Sequence, residues 1–192
     1  MKERWRRVRS ERVYDAGIFS VRKDAYEHRG RPTHPFFVLE SRPWVNVVAV
    51  TRDEEVVLVR QYRHAVEEVC LEIPGGIVDD GDADPAAAAA RELREETGYA
   101  GEPPALLGAV TCNPAILANR TYAYLVADAR KVAEQLPDAD EDIDVVLAPA
   151  AEIAGLLSSG AIHHALSVSA LALWVLREGC LGSHSKSPSR PA

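Results

Sequence analysis

Cysteine is scarce in this sequence: Cys70, Cys112 and Cys180 are the only three among 192 residues, and they lie far apart. Their number is odd and their spacing fits no cysteine-based metal motif, which argues against a disulfide-bonded scaffold or a zinc finger. Scattered, unpaired thiols are typical of proteins in a reducing compartment. We therefore expect reduced cysteines and a cytoplasmic protein.

Long apolar runs and an excess of positive charge are also missing. No apolar stretch approaches the length of a membrane span, and the opening segment MKERWRRVRSER lacks the apolar core of a signal peptide. The net charge of −7 argues against a general binder of nucleic acids or membrane surfaces. Instead, 47% hydrophobic and 27% charged residues predict one globular domain, long enough to bury a substantial core.

Short alternating or apolar runs, separated by turn residues, predict β-strands along most of the chain. These runs are VYDAGIFSVRKDAYEHR, FFVLE, WVNVVAVT, VVLVRQYR, EEVCLE, PALLGAVTC, RTYAYLVAD and VVLAP. Helical patterns occur once in the centre and twice near the C-terminus, in PAAEIAGLLSSG and HHALSVSALALWVLREG. Strands before and after one central helix predict an α/β (α+β) sandwich rather than regularly alternating βα units.

Both ends of the chain differ in composition from the middle. The first twelve residues are basic and are expected to form a solvated or frayed arm. The final segment, LGSHSKSPSRPA, is polar and rich in Ser and Pro, and it is expected to be disordered.

The central helix carries an unusual cluster of acidic residues at its C-terminal end. It is predicted to run from Pro85, after the N-cap Asp84, to about Glu96, with Gly98 as its stop. A helix C-terminus disfavours negative charge, so these glutamates are poor choices for helix stability alone.

The three glutamates of this cluster share one side of the helix. Glu92 and Glu96 are four residues apart, Glu95 flanks them, and Arg91 can pair with Glu95 across one turn. Crowded carboxylates are suited to a hard divalent cation such as Mg²⁺ or Mn²⁺, which often binds substrate phosphates as well. From spacing alone, an exposed charged helix end with ordinary ion pairs remains equally compatible.

The surrounding segment, GGIVDDGDADPAAAAARELREETGY, strongly resembles the Nudix box, G-x5-E-x7-R-E-U-x-E-E-x-G-U with U apolar. Gly76 occupies the first position of this pattern. The second half matches throughout, at Arg91, Glu92, Leu93, Glu95, Glu96, Gly98 and Tyr99. The first half departs from the pattern, because Asp82 replaces the first Glu and the spacing to Arg91 is one residue too long. The first Glu of the family mostly braces the loop, and an extra loop residue between Gly81 and Pro85 accounts for the spacing.

The resemblance extends over roughly residues 13 to 178 and is to the ADP-ribose pyrophosphatase branch. VVLVRQYRHAVEEVCLEIPGG resembles the run before the box in that branch, and Pro114 lies sixteen residues after Gly98, where the branch carries a proline. The resemblance implies a Nudix α/β/α sandwich with a mixed sheet, plus an N-terminal antiparallel sheet. The implied organisation is N-terminal strands over 1–45, a Nudix hydrolase domain over 46–180 and a tail over 181–192.

The resemblance also implies a set of site residues. Glu92, Glu95, Glu96 and the backbone carbonyl of Gly75 correspond to the metal ligands, with Mg²⁺ as cofactor and Mn²⁺ as a substitute. Glu141, on a late acidic loop, aligns with the catalytic base. Some relatives carry a second glutamate two residues earlier, where this sequence has Ala139, so Asp140 or Glu95 remain alternative bases.

Four further residues are candidates for substrate binding. Trp44 is expected to stack on the nucleotide base, although a core or strand-edge role is equally compatible. Arg63 can contact a phosphate or ribose, or form a structural pair. Glu72 is expected to line the site or to pair with an arginine, and Pro114 follows from the family resemblance. The adjacent His163 and His164 are expected to lie far from the box without further ligands, which disfavours metal binding by them.

The implied activity is hydrolysis of the diphosphate bond of ADP-ribose or a related nucleoside diphosphate sugar. A non-catalytic Nudix-fold nucleotide-binding module is one alternative, and hydrolysis of another nucleoside diphosphate derivative, such as a dinucleotide or coenzyme A, is another. The expected partners are a small nucleotide-sugar substrate and a second copy of the chain in a homodimer, without nucleic acid or membrane.

Overall fold

The computed structural model of the chain describes residues 1–136 and 141–182. Ala139, Asp140 and residues 183–192 of the expected tail therefore lie outside the described residues. Within the described part, two β-sheets and three α-helices are present.

The N-terminal sheet is antiparallel and has four strands. They are β1 (Trp5–Asp15), β2 (Ser20–His28), β3 (Arg31–Pro32) and β4 (Phe36–Glu40), with a short 3₁₀ turn at Lys2–Arg4 before them. β2 is central: it pairs with β1 along one edge and with β3 and β4 along the other.

The N-terminal arm expected from the sequence is instead part of this sheet. β1 pairs with β2 over nearly its whole length, and Arg6 forms an ion pair of 2.6 Å with Glu27 across the two strands. Every residue of β1 is nevertheless exposed. Basic composition predicted the exposure, but it could not show the acidic residues on β2 that make the pairing favourable.

The second sheet is mixed and has seven strands. Its order is β11-β6-β5-β10-β8, with β7 paired to β6 and β9 to β10. Only the β5–β10 pairing is parallel among those described. The strands are β5 (Trp44–Thr51), β6 (Glu55–Arg63), β7 (Glu68–Glu72), β8 (Tyr99–Ala100), β9 (Ala105–Val110), β10 (Thr121–Lys131) and β11 (Ile143–Pro149).

Helices cover both faces of this sheet. α1 (Pro85–Thr97) packs on one face, where Ala88, Ala89 and Leu93 meet alternate residues of β5. α2 (Ile153–Ser158), preceded by a 3₁₀ turn at Ala150–Glu152, and α3 (Ala165–Gly182) cover the other face. A strand buried on both faces is apolar almost throughout, which explains the run WVNVVAV in β5.

This arrangement confirms the predicted α/β/α sandwich with a mixed sheet and an additional N-terminal antiparallel sheet. The predicted central helix is also correct, and it extends one residue further, to Thr97. None of the described helices is both long and apolar enough to traverse a bilayer.

Candidate active site

One cavity of about 730 Å³ lies where β5, β6 and β7 meet α1 and the segment before α3. Its volume falls in the range typical of small-molecule sites, about 300–1,000 Å³. Eight of the nine site residues predicted from the sequence line it, namely Trp44, Arg63, Glu72, Gly75, Glu92, Glu95, Glu96 and Glu141. The ninth, Pro114, lies exposed in the turn before β10 and is not among the lining residues.

Helix α1 holds the glutamates because both of its ends are fixed. The Asp84 side chain accepts a hydrogen bond of 2.8 Å from the Ala87 amide, and Pro85 occupies the first turn. Gly98 ends the helix in the left-handed conformation, with φ of 75°. The alanines let α1 pack closely against β5 while the glutamates face the cavity.

Two glycines after β7 allow the chain to pass directly beneath these carboxylates. The Gly75 amide donates a hydrogen bond of 2.9 Å to Glu96 Oε2. A Cβ on Gly76 would overlap the Glu92 carboxylate, and a Cβ on Gly75 would overlap the backbone carbonyl of Val45. Glycine is therefore required here for close approach of the backbone.

Burial makes the ionised forms of two glutamates unfavourable. Burial and the nearby Glu95 and Glu141 charges raise the pKa of Glu92 to about 7, although Arg91 partly opposes the change. Burial, together with the charges of Glu92 and Glu141, raises the pKa of Glu96 to about 8 against the hydrogen bond from Gly75. These carboxylates therefore need a positive charge between them in order to ionise fully near neutral pH.

The donor set fits a hard divalent cation. Glu92, Glu95, Glu96 and Glu141 line the same cavity, and all supply carboxylate oxygens, which Mg²⁺ and Mn²⁺ prefer. The raised pKa values of Glu92 and Glu96 give this arrangement an electrostatic reason to bind one.

Arg91 connects the loop before α1 to the glutamates. Its guanidinium donates two hydrogen bonds, of 3.0 and 2.9 Å, to Asp82, one of 3.0 Å to the Ile77 carbonyl and one of 2.9 Å to Glu95. The hydrogen bonds from Arg91 lower the pKa of Asp82 despite its burial. Asp82 thus connects its loop to α1 through Arg91, and Arg91 pairs with Glu95 as the spacing predicted.

A second charged network lies deeper in the cavity, around Glu72. Arg63 donates to both Glu72 oxygens, at 2.8 and 2.7 Å, and His164 Nδ1 lies 2.8 Å from Oε2. Burial alone would raise the pKa of Glu72, whose side chain is only 1% exposed, but the hydrogen bonds from Arg63 and His164 lower it to about 2. The structure thus shows the arginine pair that the sequence left as an alternative for Arg63 and Glu72.

The expectation that the two histidines lie far from the box is wrong. His163 and His164 precede α3, which begins at Ala165, and both line the same cavity as the box glutamates. His163 also lies close to Glu68 and Cys70. Sequence distance from the box misled the prediction, because the chain returns to the cavity just before α3.

Two cavity residues, Asn46 and Gln61, were missed by the sequence analysis. Asn46 Oδ1, Gln61 Oε1 and Trp44 Nε1 are buried, and none has a hydrogen-bond partner among the described residues. Buried polar atoms are almost always satisfied, so three such atoms in one cavity indicate a place for polar ligand or water atoms. A polar residue within each apolar strand, WVNVV and VVLVRQ, was the available signal.

Comparison with known proteins agrees with the fold and the box. The chain is 28% identical over 140 residues to the methanol dehydrogenase activator of Bacillus methanolicus, covering 72% of this chain and 75% of that protein. It is 29% identical over 164 residues to the ADP-ribose pyrophosphatase of Mycobacterium tuberculosis, covering 84% and 78%. A crystal structure of an ADP compounds hydrolase superposes with a TM-score of 0.80 over 94% of this chain and 96% of that one, and at 24% identity this likeness shows the fold alone.

The NUDIX domain family matches residues 41–169, well over half of the chain. That range contains β5 to β11, α1 and the lining residues of the cavity from Trp44 to Leu166. The chain therefore belongs to the Nudix family, as a pyrophosphohydrolase of the branch that includes the ADP-ribose pyrophosphatases.

Proposed function

We propose that the protein hydrolyses the diphosphate bond of ADP-ribose or a related nucleoside diphosphate sugar, with Mg²⁺ as cofactor and Mn²⁺ as a substitute. The products are a nucleoside monophosphate and a sugar phosphate. The observation that carries this proposal is the convergence of the box glutamates, Arg63 and Trp44 on one cavity of nucleotide size. Similarity to proteins named ADP-ribose pyrophosphatase supports the choice of substrate.

The metal is assigned to Glu92, Glu95, Glu96 and the Gly75 carbonyl. Bound there, it would neutralise phosphate oxygens and lower the pKa of water. Arg91 keeps Glu95 turned toward this site through its hydrogen bond of 2.9 Å. The hydrogen bond from the Gly75 amide holds one carboxylate oxygen of Glu96, and the other oxygen is available to the metal.

The reaction needs one proton acceptor beside the diphosphate. Water forms a new bond to one phosphorus, the bond from that phosphorus to the bridging oxygen breaks, and Glu141 accepts the proton of the attacking water. Glu141 lines the cavity with the box glutamates and is close enough to influence the pKa of Glu92 and Glu96. Glu95 is the alternative base.

The remaining cavity residues would hold the nucleotide. Trp44 offers an aromatic face for the base, and its Nε1, which has no hydrogen-bond partner within residues 1–136 and 141–182, offers a donor. Glu72 uses Nε and Nη2 of Arg63, which fixes the guanidinium at the cavity wall for contact with a phosphate or ribose. Pro114 is proposed as a substrate-binding residue on the family resemblance alone.

A panel assay tests the substrate. The protein is incubated with Mg²⁺, and in parallel with Mn²⁺, and with ADP-ribose, ADP-glucose, a dinucleotide diphosphate or coenzyme A. We expect sugar phosphate from the nucleotide sugars, and turnover of ADP-ribose above that of the other compounds. Release of no sugar phosphate from any nucleotide sugar at micromolar enzyme would refute the proposal.

A further part of the proposal is a cytoplasmic homodimer, and the N-terminal sheet supports the dimer. Its strands expose large apolar side chains, including Trp5, Val13, Tyr14, Phe36 and Phe37, which a second copy of the sheet can cover. We propose that residues 1–45 form this interface. Light scattering at low micromolar concentration should give the mass of a dimer, and a monomeric mass would contradict the arrangement.

A further inference from the structure

We propose that Glu68, Cys70 and His163 form a second metal site, which binds a Zn²⁺-class cation and is distinct from the glutamate site of the Nudix box. Each residue offers one ligand atom, and the three atoms all lie within 4.8 Å of one another. This site goes beyond the proposed hydrolysis, which does not require it.

The arrangement follows from the register of two strands and one turn. Glu68 and Cys70 are two residues apart on β7, so their side chains lie on the same face of the sheet. Gln61 is directly opposite Cys70 on β6 and shares that face. The segment before α3 then brings His163 against both.

Two of the three distances between ligand atoms agree with tetrahedral coordination, and the third, between Cys70 and Glu68, is within 4.8 Å. His163 Nε2 lies 3.5 Å from Cys70 Sγ and 3.4 Å from Glu68 Oε1. With Zn–S of about 2.3 Å and Zn–N and Zn–O of about 2.0–2.1 Å, two ligands of a tetrahedral ion lie about 3.3–3.6 Å apart. The side chains of His163 and Glu68 are about half exposed, so both can adjust by rotation.

The chemical types of the ligand atoms distinguish this site from the glutamate site of the Nudix box. A thiolate, an imidazole and one carboxylate suit Zn²⁺ or Co²⁺, whereas Mg²⁺ prefers the all-oxygen set on α1. Binding releases the thiol proton of Cys70 to solvent. Arg63 lies nearby, but its guanidinium forms a bidentate ion pair with Glu72, which offsets its positive charge.

The fourth position of the ion would face the cavity. Cys70 and His163 both line it, together with Gln61. Gln61 is 8% exposed, and its Oε1 has no hydrogen-bond partner within the part of the chain that the structure describes. A water molecule in the fourth position could therefore donate a hydrogen bond to Gln61 Oε1.

Cobalt spectroscopy on the full chain tests the proposal. Reduced, metal-free protein is first saturated with Mg²⁺ and then titrated with Co²⁺. We expect a thiolate-to-cobalt charge-transfer band that saturates at one equivalent and disappears on addition of Zn²⁺. Cys70→Ser should abolish the band, and His163→Gln should weaken Co²⁺ binding by at least about 10-fold.

Two controls locate the site. The double variant Cys112→Ser, Cys180→Ser retains only Cys70 and should keep the band. Glu92→Gln with Glu96→Gln removes the box ligands and should keep it too. If Cys70→Ser does not fold, His163→Gln decides the matter, since its exposed side chain can be replaced without loss of the core. Absence of the band in folded wild-type protein, or unchanged Co²⁺ affinity in a folded His163→Gln variant, would overturn the proposal.

Discussion

The glutamates of α1 differ in how strongly the protein opposes their negative charge. Glu96 is only 4% exposed and Glu92 is also largely enclosed, whereas Glu95 is 42% exposed, and Arg91 pairs with both Glu92 and Glu95. The first two therefore depend most on a bound cation for their ionised form. This difference makes Glu96 the most informative position for a substitution that keeps the shape of the side chain.

Glu96→Gln should lower turnover by at least about 100-fold, because even the loss of an outer partner of a metal ligand costs about 10- to 100-fold. The fold should survive, since the amide oxygen can still accept the hydrogen bond from Gly75 and a neutral group is cheaper to bury. Steady-state kinetics and a thermal melt on the same sample measure both effects. Glu102→Gln, on the exposed surface after β8, is the matched control. Wild-type turnover in Glu96→Gln would exclude a role for this carboxylate in metal binding.

Glu72 should make a measurable contribution to acid stability. Its pKa falls from 4.5 to about 2 on folding, so the stabilisation is present above about pH 4.5 and is lost as the pH falls through about 2. The shift corresponds to on the order of 3 kcal/mol in the free energy of unfolding. Urea denaturation should show the advantage of wild type over Glu72→Gln shrinking across that range. Glu68→Gln, on the same strand but half exposed, should show no comparable change. A constant difference between wild type and Glu72→Gln would contradict the assigned pair.

The sequence was sufficient for the residues of the box, because their spacing on one helix places them together whatever the rest of the chain does. It left Arg63 and Glu72 undecided, since a cross-strand pair depends on register. It missed Asn46 and Gln61, whose importance lies in buried oxygens that have no hydrogen-bond partner in the described part of the chain. Burial of a single polar atom is a tertiary property that no local pattern reports.

At the scale of the elements, the loop before α1 contains two aspartates with different roles. Asp84 caps the helix and is exposed, whereas Asp82 is 7% exposed and holds Arg91, which in turn holds Glu95. One residue therefore stabilises the helix, and the other positions a proposed metal ligand. This also explains how the loop tolerates one residue more than the family pattern, because the shorter Asp82 still reaches Arg91.

Substitutions at the two aspartates should separate these tasks. Asp84→Ala should cost about 1 kcal/mol of stability, as the loss of a helix cap does, and leave kcat/KM nearly unchanged. Asp82→Ala should lower kcat/KM by about 10- to 100-fold, because Arg91 loses two of its hydrogen bonds and no longer fixes Glu95. Kinetics and thermal melts of both variants provide the comparison. Equal kcat/KM values in the two variants would show that the hydrogen bonds between Asp82 and Arg91 do not affect catalysis.

Helices and strands with a strong hydrophobic periodicity were predicted well. Strands that are identified only by their pairing with another strand were predicted poorly. α1 and the buried strand β5 followed directly from their patterns. β1 was taken for an arm because its alternation is hidden by basic residues, and only the partner strand β2 shows that it is paired. The histidines before α3 were placed away from the box because the local sequence does not show which part of the fold a loop contacts.

For the whole molecule, the cavity depends on segments that are distant along the chain. β5 and β7 supply one wall, α1 another, and the residues before α3 close the third side. The sandwich places α1 and α3 on opposite faces of the sheet, and residues of α1 and of the start of α3 both line the cavity. Neutralising the carboxylates in this cavity should therefore stabilise the entire fold rather than one helix.

Mg²⁺ should raise the melting temperature of the protein through this linkage. A ligand that binds only the folded state at about 100 times its Kd stabilises by about 2.7 kcal/mol. For a chain of this size, each kcal/mol corresponds to roughly 2–4 °C, so a gain of about 5–10 °C is expected. Differential scanning calorimetry with and without Mg²⁺, at matched ionic strength, measures it. The double variant Glu92→Gln, Glu96→Gln should melt at the same temperature under both conditions. A gain in that variant equal to that of wild type would mean that Mg²⁺ stabilises the protein from elsewhere, and that the burial of these two carboxylates serves another purpose than metal binding.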